Sequence, residues 1–295
     1  MADFIMLVGI SASGKSEIAK NLSELGGCEV VSNSELRKEV NGNSAIPVSS
    51  QKLHEEAHRR IVKGLKEGKN VVYDATNLKM KQRKGLLYKL RGIDCEKNCI
   101  VSIRTIENCI EAAKDFFSPD VIMEQVKAFE APYFYEGWDN IYLAYDKEKY
   151  YLSDIDNRLK GMSHDNEHHS LDILGHMQKA QEIYSQMCTG SEYKPENLAM
   201  LFAVSYHDIG KLYTKEFIPG DKNAHYFNHH NVGAYMFLAS EVPEAIDSLQ
   251  VAVLIQWHME HYFRKGKGME KFKKLIGEDL SANLDLLHAI DKKAH

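Results

Sequence analysis

The stretch FIMLVGISASGKSEIA, residues 4–19, decides how the first half of the chain is read. Five apolar residues, 4–8, have the length and composition of a buried strand. Residues 9–16 then satisfy the spacing G-x-x-x-x-G-K-[ST], and a helical pattern runs over 15–26. Strand, glycine loop and helix in that order point backbone N–H groups and a helix N-terminus at phosphate. Gly9, Ser11, Ser13 and Gly14 form the cradle, Lys15 is expected to reach the outer phosphates, and Ser16 to ligate Mg²⁺. The ligand this implies is ATP with Mg²⁺.

Outward from this loop the pattern alternates. Short β-branched or aromatic runs at 28–31, 70–75, 98–103 and 140–145 are separated by helical patterns at 50–67, 79–91 and 119–129. Strands alternating with helices predict a mainly parallel sheet covered on both faces. After residue 152 the strand signals stop. Residues 168–188, 196–208, 229–240, 244–260 and 279–294 carry apolar positions at helical spacing, which predicts an all-helical second half. The charged stretch 151–168 reads as the connection. The expected domains are residues 1–152 and 164–295.

Composition supports two different chemistries. The first 152 residues hold 22 basic and 22 acidic side chains, so the net charge of −5 falls entirely on the remainder. Twelve of the 14 histidines also lie beyond residue 160. Neither half has the bulk positive charge of a dedicated nucleic-acid binder. No run of 18 apolar residues exists, so no membrane span is expected. Five scattered cysteines form no paired framework, and a reducing cytoplasm is the expected compartment.

Three segments following the loop, VVSNSELRKEVNG (30–42), VVYDATNLKMKQR (71–83) and MEQVKAFEAPYFYEGWDNI (123–141), resemble the polynucleotide-kinase branch of P-loop phosphotransferases. The likeness covers residues 3 to about 146. It implies transfer of the ATP γ-phosphate to a 5′-hydroxyl of nucleic acid. Carried over by position, Asp74 stands beside the phosphates, Arg37 holds an acceptor phosphate, and Arg83 joins it from the next helix. Lys79, Lys81, Arg83, Lys84, Lys89 and Arg91 make a local basic patch, readable as a binding surface or as a solvated helix face. Two positions depart from the resemblance. Ser34 stands where an aspartate base is expected, and serine cannot serve as a base near neutral pH. Ala112 stands where a lid arginine is expected, with Lys114 the only cation nearby. HEEAH, residues 54–58, matches a short zinc motif, but it lies between two strands of the predicted sheet and reads as an exposed helix.

In the second half the order H…HD…H…H…D recurs on separate predicted helices. One buried histidine is commonly a satisfied core residue. A His or Asp at the inner edge of five apolar stripes is not explained that way. The elements GH at 175–176, HDIGK at 207–211 and FNHHNVGA at 227–234 resemble the HD superfamily of metal-dependent phosphohydrolases over residues 164–295. The resemblance implies that His176, His207, Asp208 and Asp291 hold one metal. Asp208 would bridge to a second metal held by His229 and His258. Imidazole with carboxylate suits Mn, Fe, Co, Ni or Zn. Two such ions about 4 Å apart activate water and clamp a phosphate oxygen. Lys211, near Asp208 on one helical face, is assigned to the substrate phosphate, and Gly210 is expected to let that helix tighten or end. His168, His169 and His261 are either substrate contacts or surface residues, and His230 is the weaker neighbour of His229.

Together these expectations describe a two-module enzyme that heals nucleic-acid ends. The hydrolase would remove a 3′-phosphate or a 2′,3′-cyclic phosphate, and the kinase would be impaired. A small-nucleotide phosphohydrolase with an ATP-binding regulatory domain is the alternative. A catalytically dead nucleotide-binding partner protein is the third reading. The sequence leaves the oligomeric state open.

Overall fold

The computed structural model describes residues 1–41, 50–166, 170–188 and 195–295. The chain divides into two compact units, one of residues 1–125 and 132–147, the other of residues 126–131 and 148–295.

The first unit holds five parallel strands. In chain order it runs β1 (Ala2–Val8), α1 (Lys15–Gly26), β2 (Glu29–Ser32), α2 (Asn33–Asn41), α3 (Ser50–Lys66), β3 (Val71–Asp74), α4 (Met80–Lys89), β4 (Cys95–Ile103), α5 (Ile106–Ala113), α6 (Pro119–Lys127) and β5 (Asn140–Tyr145). The sheet order is β2-β3-β1-β4-β5, with Met6 paired in register to Tyr73 and to Cys99. Successive side chains point to opposite faces. Leu7 and Val72 accordingly join Ala19, Ile18 and Leu22 of α1 on one face. Met6 and Tyr73 face α3 and α4 on the other. Sequence periodicity located these strands to within about three residues.

In the second unit the elements are α7 (Leu152–Leu159), α8 (Ile173–Met187), α9 (Pro195–Tyr206), α10 (Lys211–Thr214), β6 (Lys215–Phe217), β7 (Ala224–Tyr226), α11 (His229–Leu238), α12 (Ser248–Trp257), α13 (Glu260–Phe263), α14 (Lys267–Ile276) and α15 (Glu278–Ala294). α11 and α12 are apolar on nearly every side, the mark of helices enclosed by others. α8, α9 and α15 pack around them.

Four differences from the sequence reading stand out. The second half is helical but not wholly so, because β6 and β7 pair antiparallel. Three-residue strands are too short to carry a two-residue period. The stretch 151–168 is not a bare connection, since it contains α7 and the buried His164. Residues 126–131, read as part of the first module, belong to the second unit. There Phe129 meets Tyr235 edge-on at 5.2 Å, and the Ala131 N–H donates to Gln256 Oε1 at 2.5 Å. The helix does break here, as expected, since α9 ends at Tyr206 and Gly210 caps the start of α10, but a φ of −66° is ordinary helical backbone that does not itself require glycine. It is glycine because a Cβ there would sit 1.9 Å from the His229 carbonyl oxygen and 2.5 Å from the Gly233 nitrogen. That close approach draws the start of α11 up to Asp208.

Candidate functional site

In the first unit the glycine loop caps α1. Gly9 has a φ of +154°, and a Cβ on it would lie 2.6 Å from the Ser102 carbonyl oxygen. Gly14 has a φ of +101°, which a residue with a Cβ rarely adopts. Ser102 Oγ donates to the Ser13 carbonyl at 2.6 Å and ties β4 to the loop. Lys15 is buried and folds back to donate to the Ile10 carbonyl at 2.6 Å. Burial lowers its pKa to about 8 against the opposing pull of Asp74. Ser16 Oγ donates to Asp74 Oδ2 at 3.0 Å, so the residues expected at Mg²⁺ already touch. The Ser11 N–H, one of the loop's phosphate donors, is occupied by Gln125 Oε1 at 2.6 Å.

The acceptor side differs from expectation. Arg37 is half-buried on α2, and its charge helps keep His54 below the usual imidazole range, after the larger effect of burial. Arg83 does not face an acceptor. It is fully buried and pairs bidentately with Glu136, Nη2 to Oε1 at 2.6 Å and Nε to Oε2 at 2.8 Å. Its Nη1 donates to the carbonyls of Asn77 and Leu78 at 3.0 and 2.8 Å. Arg83 therefore leaves the basic patch. Glu136, its partner 53 residues away, lies in the EGWD ending of the third quoted segment, but nothing in the sequence pairs it with Arg83. HEEAH is not a plain exposed helix face either. His54 and His58 line a cavity of about 380 Å³ with Met6, Tyr73 and Leu86. His54 Nδ1 lies 3.2 Å from the Tyr73 hydroxyl, and His58 Nδ1 accepts from Lys89 at 3.0 Å.

In the second unit the structure brings His176, His207, Asp208, His229, His258 and Asp291 into one buried cluster. His176 Nε2 lies 3.0 Å from Asp291 Oδ1, 3.2 Å from His207 Nε2 and 3.7 Å from Asp208 Oδ2. His207 Nε2 is 3.5 Å from the same Asp208 Oδ2 and 3.3 Å from Asp291 Oδ1. On the other side of Asp208, Oδ1 lies 3.4 Å from His229 Nε2 and 3.8 Å from His258 Nε2. These two nitrogens are 3.2 Å apart. Asp208 thus turns one oxygen to each of two groups of side chains that could hold a metal ion.

Local backbone aims the rings. His207, His229 and His258 each donate Nδ1–H to the carbonyl three residues earlier, Val204 at 2.9 Å, Tyr226 at 2.8 Å and Ile255 at 2.6 Å. A carbonyl only accepts, so each Nδ1 carries a proton and each Nε2 is turned inward. This is the orientation that ligating histidines take from their outer partners. Ligands bound at about 2.1 Å stand roughly 3.0–3.4 Å apart, close to the separations found here.

Electrostatics follow from the same crowding. Burial opposes ionisation of Asp208, but Lys211 and His207 outweigh it and hold the carboxyl well below its usual range. Asp291 is likewise held low, by hydrogen bonds from His176 and His207 that overcome its burial. Burial depresses His207, yet Asp208 and Asp291 reverse this and push it up to about 9. His258, buried and facing two other imidazoles, lies well below the ordinary value.

Around the cluster is a cavity of about 620 Å³. Lys211 Nζ bonds Asp208 Oδ2 at 2.6 Å and lies 5.3 Å over the Tyr226 ring. His164, unassigned by the sequence, is 3.5 Å from that ammonium and meets His176 edge-on at 5.7 Å. His295 is the other unforeseen histidine, its Nε2 3.7 Å from Asp291 Oδ1. His295 follows Asp291 by four residues, one helical turn, and His164 precedes His176 by twelve, yet neither belongs to a quoted motif. His230 lines the cavity, and burial pulls its pKa down to about 3. His261 instead pairs with Asp285 at 2.9 Å and stacks on His288 at 4.4 Å. His168 and His169 lie outside the described residues. Among the described residues no helix is long and apolar enough to cross a membrane.

Residues 4–114 match the protein family described as AAA domain. The first unit is a P-loop domain of parallel α/β fold. No curated protein matches the chain. Among solved structures, the chain is similar to a gluconokinase from Sinorhizobium meliloti, at 19% identity over 48% of this chain and 81% of that one, with a TM-score of 0.36. It is also similar to a sugar kinase from a Janibacter species, at 14% identity over 48% of this chain and 86% of that one, with a TM-score of 0.39.

Proposed function

We propose that the second unit is a metal-dependent phosphohydrolase of the HD type, working at nucleic-acid or nucleotide phosphate ends. One observation carries this reading. His229 and His258 turn their Nε2 atoms toward each other across 3.2 Å, and each ring has already given its Nδ1–H to a carbonyl. Two ring nitrogens this close to each other, with the Asp208 carboxylate at 3.4 and 3.8 Å, are spaced to share a cation. The donor set of imidazoles and ionised carboxylates fits divalent Mn, Fe, Co, Ni or Zn. His176, His207, Asp208 and Asp291 would hold one ion, and Asp208, His229 and His258 the other. Such a pair supplies Lewis acidity and an activated water at neutral pH. The chain's own groups do the rest. Asp208 bridges the two ligand groups and fixes their spacing. Lys211, the only lysine or arginine among the described residues that line the cavity, is placed to hold a phosphate oxygen.

The first unit, in this reading, binds ATP with Mg²⁺ through residues 9–16 and Asp74. Its 5′-kinase activity is weak, because Ser34 and Ala112 replace the base and the lid arginine. A mononucleotide-sized substrate is the second reading, favoured by a cavity with a single lysine to meet phosphate.

The test is metal analysis of the purified chain together with hydrolysis of 2′,3′-cyclic, 2′- and 3′-phosphate oligonucleotides and mononucleotides in Mn²⁺. One to two transition-metal ions per chain and cleavage of at least one substrate are expected. Asp208→Ala should abolish both while the first unit still binds ATP. Wild-type turnover by that variant ends the proposal.

A further inference from the structure

The metal-ligand cavity has an aromatic rim that hydrolysis itself does not need. Tyr226, Phe227 and Asn228 reach it from the turn before α11, and Met259, Tyr262 and Phe263 from α13. Phe227 is 51% exposed, Tyr262 45% and Phe263 61%, a costly concentration of apolar surface beside buried charge. Phe227 is held in place, since its ring stacks on His225 at 5.4 Å with an interplanar angle of 8°. His225 is fixed in turn by Asp221 at 2.8 Å. Asn228 takes a left-handed φ of +59°, a conformation asparagine tolerates. That turn sends His229 inward to Asp208 and leaves Phe227 facing the cavity. On the other wall the Tyr262 hydroxyl lies 3.5 Å from Asp291 Oδ2, and its ring meets His288 edge-on at 5.0 Å.

We infer that this rim is a base-stacking subsite, which receives the nucleobase of a nucleotide whose single phosphate lies at the Asp208 cluster. The inference rests on the phosphohydrolase reading for the position of the phosphate, and adds what recognises the remainder of the substrate. Three features select a base. A volume of about 620 Å³ exceeds what one phosphate needs and lies within the range of small-ligand sites. Among the described residues Lys211 is the only lysine or arginine on the lining, so they offer a second or third phosphate no further cationic side chain of that kind. Rigid, exposed rings on two separate elements suit a flat heterocycle better than a sugar, and base–aromatic stacking tolerates any base. His225, Asn228 and His230 supply polar atoms at the rim for a base edge. Phe227 is the principal specificity residue, because it is the more exposed ring on the hairpin side and His225 fixes its plane, whereas the Tyr226 hydroxyl is tied to the His164 carbonyl at 3.0 Å.

The experiment has two arms on the full chain. In the first, metal is stripped by chelation and adenosine or ribose binding is followed by ligand-observed NMR. Adenosine should bind and ribose should not. Phe227→Ala should weaken adenosine roughly 10-fold or more, the range of one lost stacking partner. Phe227→Trp should restore it. The difference between variants reads this subsite alone, since any adenosine held at the glycine loop is common to all of them. Phe263→Ala, altering a still more exposed ring, serves as the second variant. In the other arm, Mn²⁺-loaded protein is offered a nucleoside 3′-monophosphate and glycerol 2-phosphate. The nucleotide should have the lower KM, and Phe227→Ala should narrow that preference mainly through KM. Unchanged adenosine binding in both alanine variants, with equal kcat/KM for the two phosphates, overturns the subsite and leaves the hydrolase reading standing. Loss of adenosine binding in Phe227→Ala, in a chain that hydrolyses no phosphate, keeps the subsite and sinks the hydrolase reading. A preference for long-chain alkyl phosphates over nucleotides also overturns it.

Discussion

Arg83→Met separates two accounts of one residue. The polynucleotide-kinase likeness makes Arg83 an acceptor ligand, whereas the structure makes it half of a fully buried ion pair. Methionine fills much of the same volume but removes the charge. Glu136 then keeps only the Trp138 Nε1–H at 3.2 Å, and the Asn77 and Leu78 carbonyls each lose a donor. Removing one partner of a buried pair costs about 3–5 kcal/mol, because a desolvated charge is left alone. At roughly 2–4 °C per kcal/mol for a unit of this size, the first unit should melt about 6–20 °C lower. Differential scanning calorimetry of the full chain measures it, and the relevant transition is the one that ATP with Mg²⁺ raises. Arg83→Met with Glu136→Leu should recover most of the loss, since an apolar replacement of a whole buried pair is close to neutral. A melting temperature within about 1 °C of wild type, with a raised KM for a 5′-hydroxyl acceptor, would refute the buried-pair argument and restore the acceptor role.

How much of this was legible depended on the distance over which each residue is determined. The glycine loop is local: strand, left-handed glycines and helix lie within 16 residues, so its position was readable from sequence. The clustering of three histidines was readable for a related reason. His207, His229 and His258 each bond a carbonyl only three residues back, so each ring is aimed by its own backbone and the sequence needs only the right residue at the right helix end. Arg83 was misread because its environment is set by Glu136, 53 residues on, and a cation on a Lys-rich helix looks solvated until that partner is known. His164 entered the cluster from a segment with no periodicity to place it, whereas His295 sits one helical turn beyond Asp291 and was within reach of the helical pattern. Gly210 was assigned a conformational role when its reason is proximity to α11, which no local pattern encodes. Residues 126–131 fall in the second unit because Phe129 and Ala131 find partners more than 100 residues later.

The remaining predictions concern the first unit. Gln125→Ala releases the Ser11 N–H for phosphate and should tighten ATP about 2- to 10-fold, the worth of one hydrogen bond; Gln125→Glu, which puts an anion at the same amide, should weaken it, and equilibrium dialysis reads both. ATP affinity should fall above pH 8, by no more than about tenfold per pH unit, because burial sets the free Lys15 near that value and only its charged form attracts phosphate. The sign is fixed by a lowered lysine pKa, so affinity is full below about 8 and lost as pH rises; affinity flat to pH 10 contradicts it. Kinase activity should rise in Ser34→Asp with Ala112→Arg, read as phosphate transfer from radiolabelled ATP to a 5′-hydroxyl oligonucleotide. Both positions are exposed, so the new side chains have room, whereas Ala113 next door is buried and does not. Glu35 does not stand in for the missing base, for it lies about 100° further round α2 than Ser34 and is paired with Lys38. Lys114, at the end of α5, is drawn to Glu111 at 2.5 Å and lacks the planar fork with which arginine clamps a phosphoryl group. A missing base costs about 10²–10⁴ in rate and a missing arginine about 10³–10⁵, so even partial repair should be visible above background. Transfer by the unaltered chain as fast as by the double variant would show that this unit does its chemistry with other groups, and the Ser34 and Ala112 argument would fail.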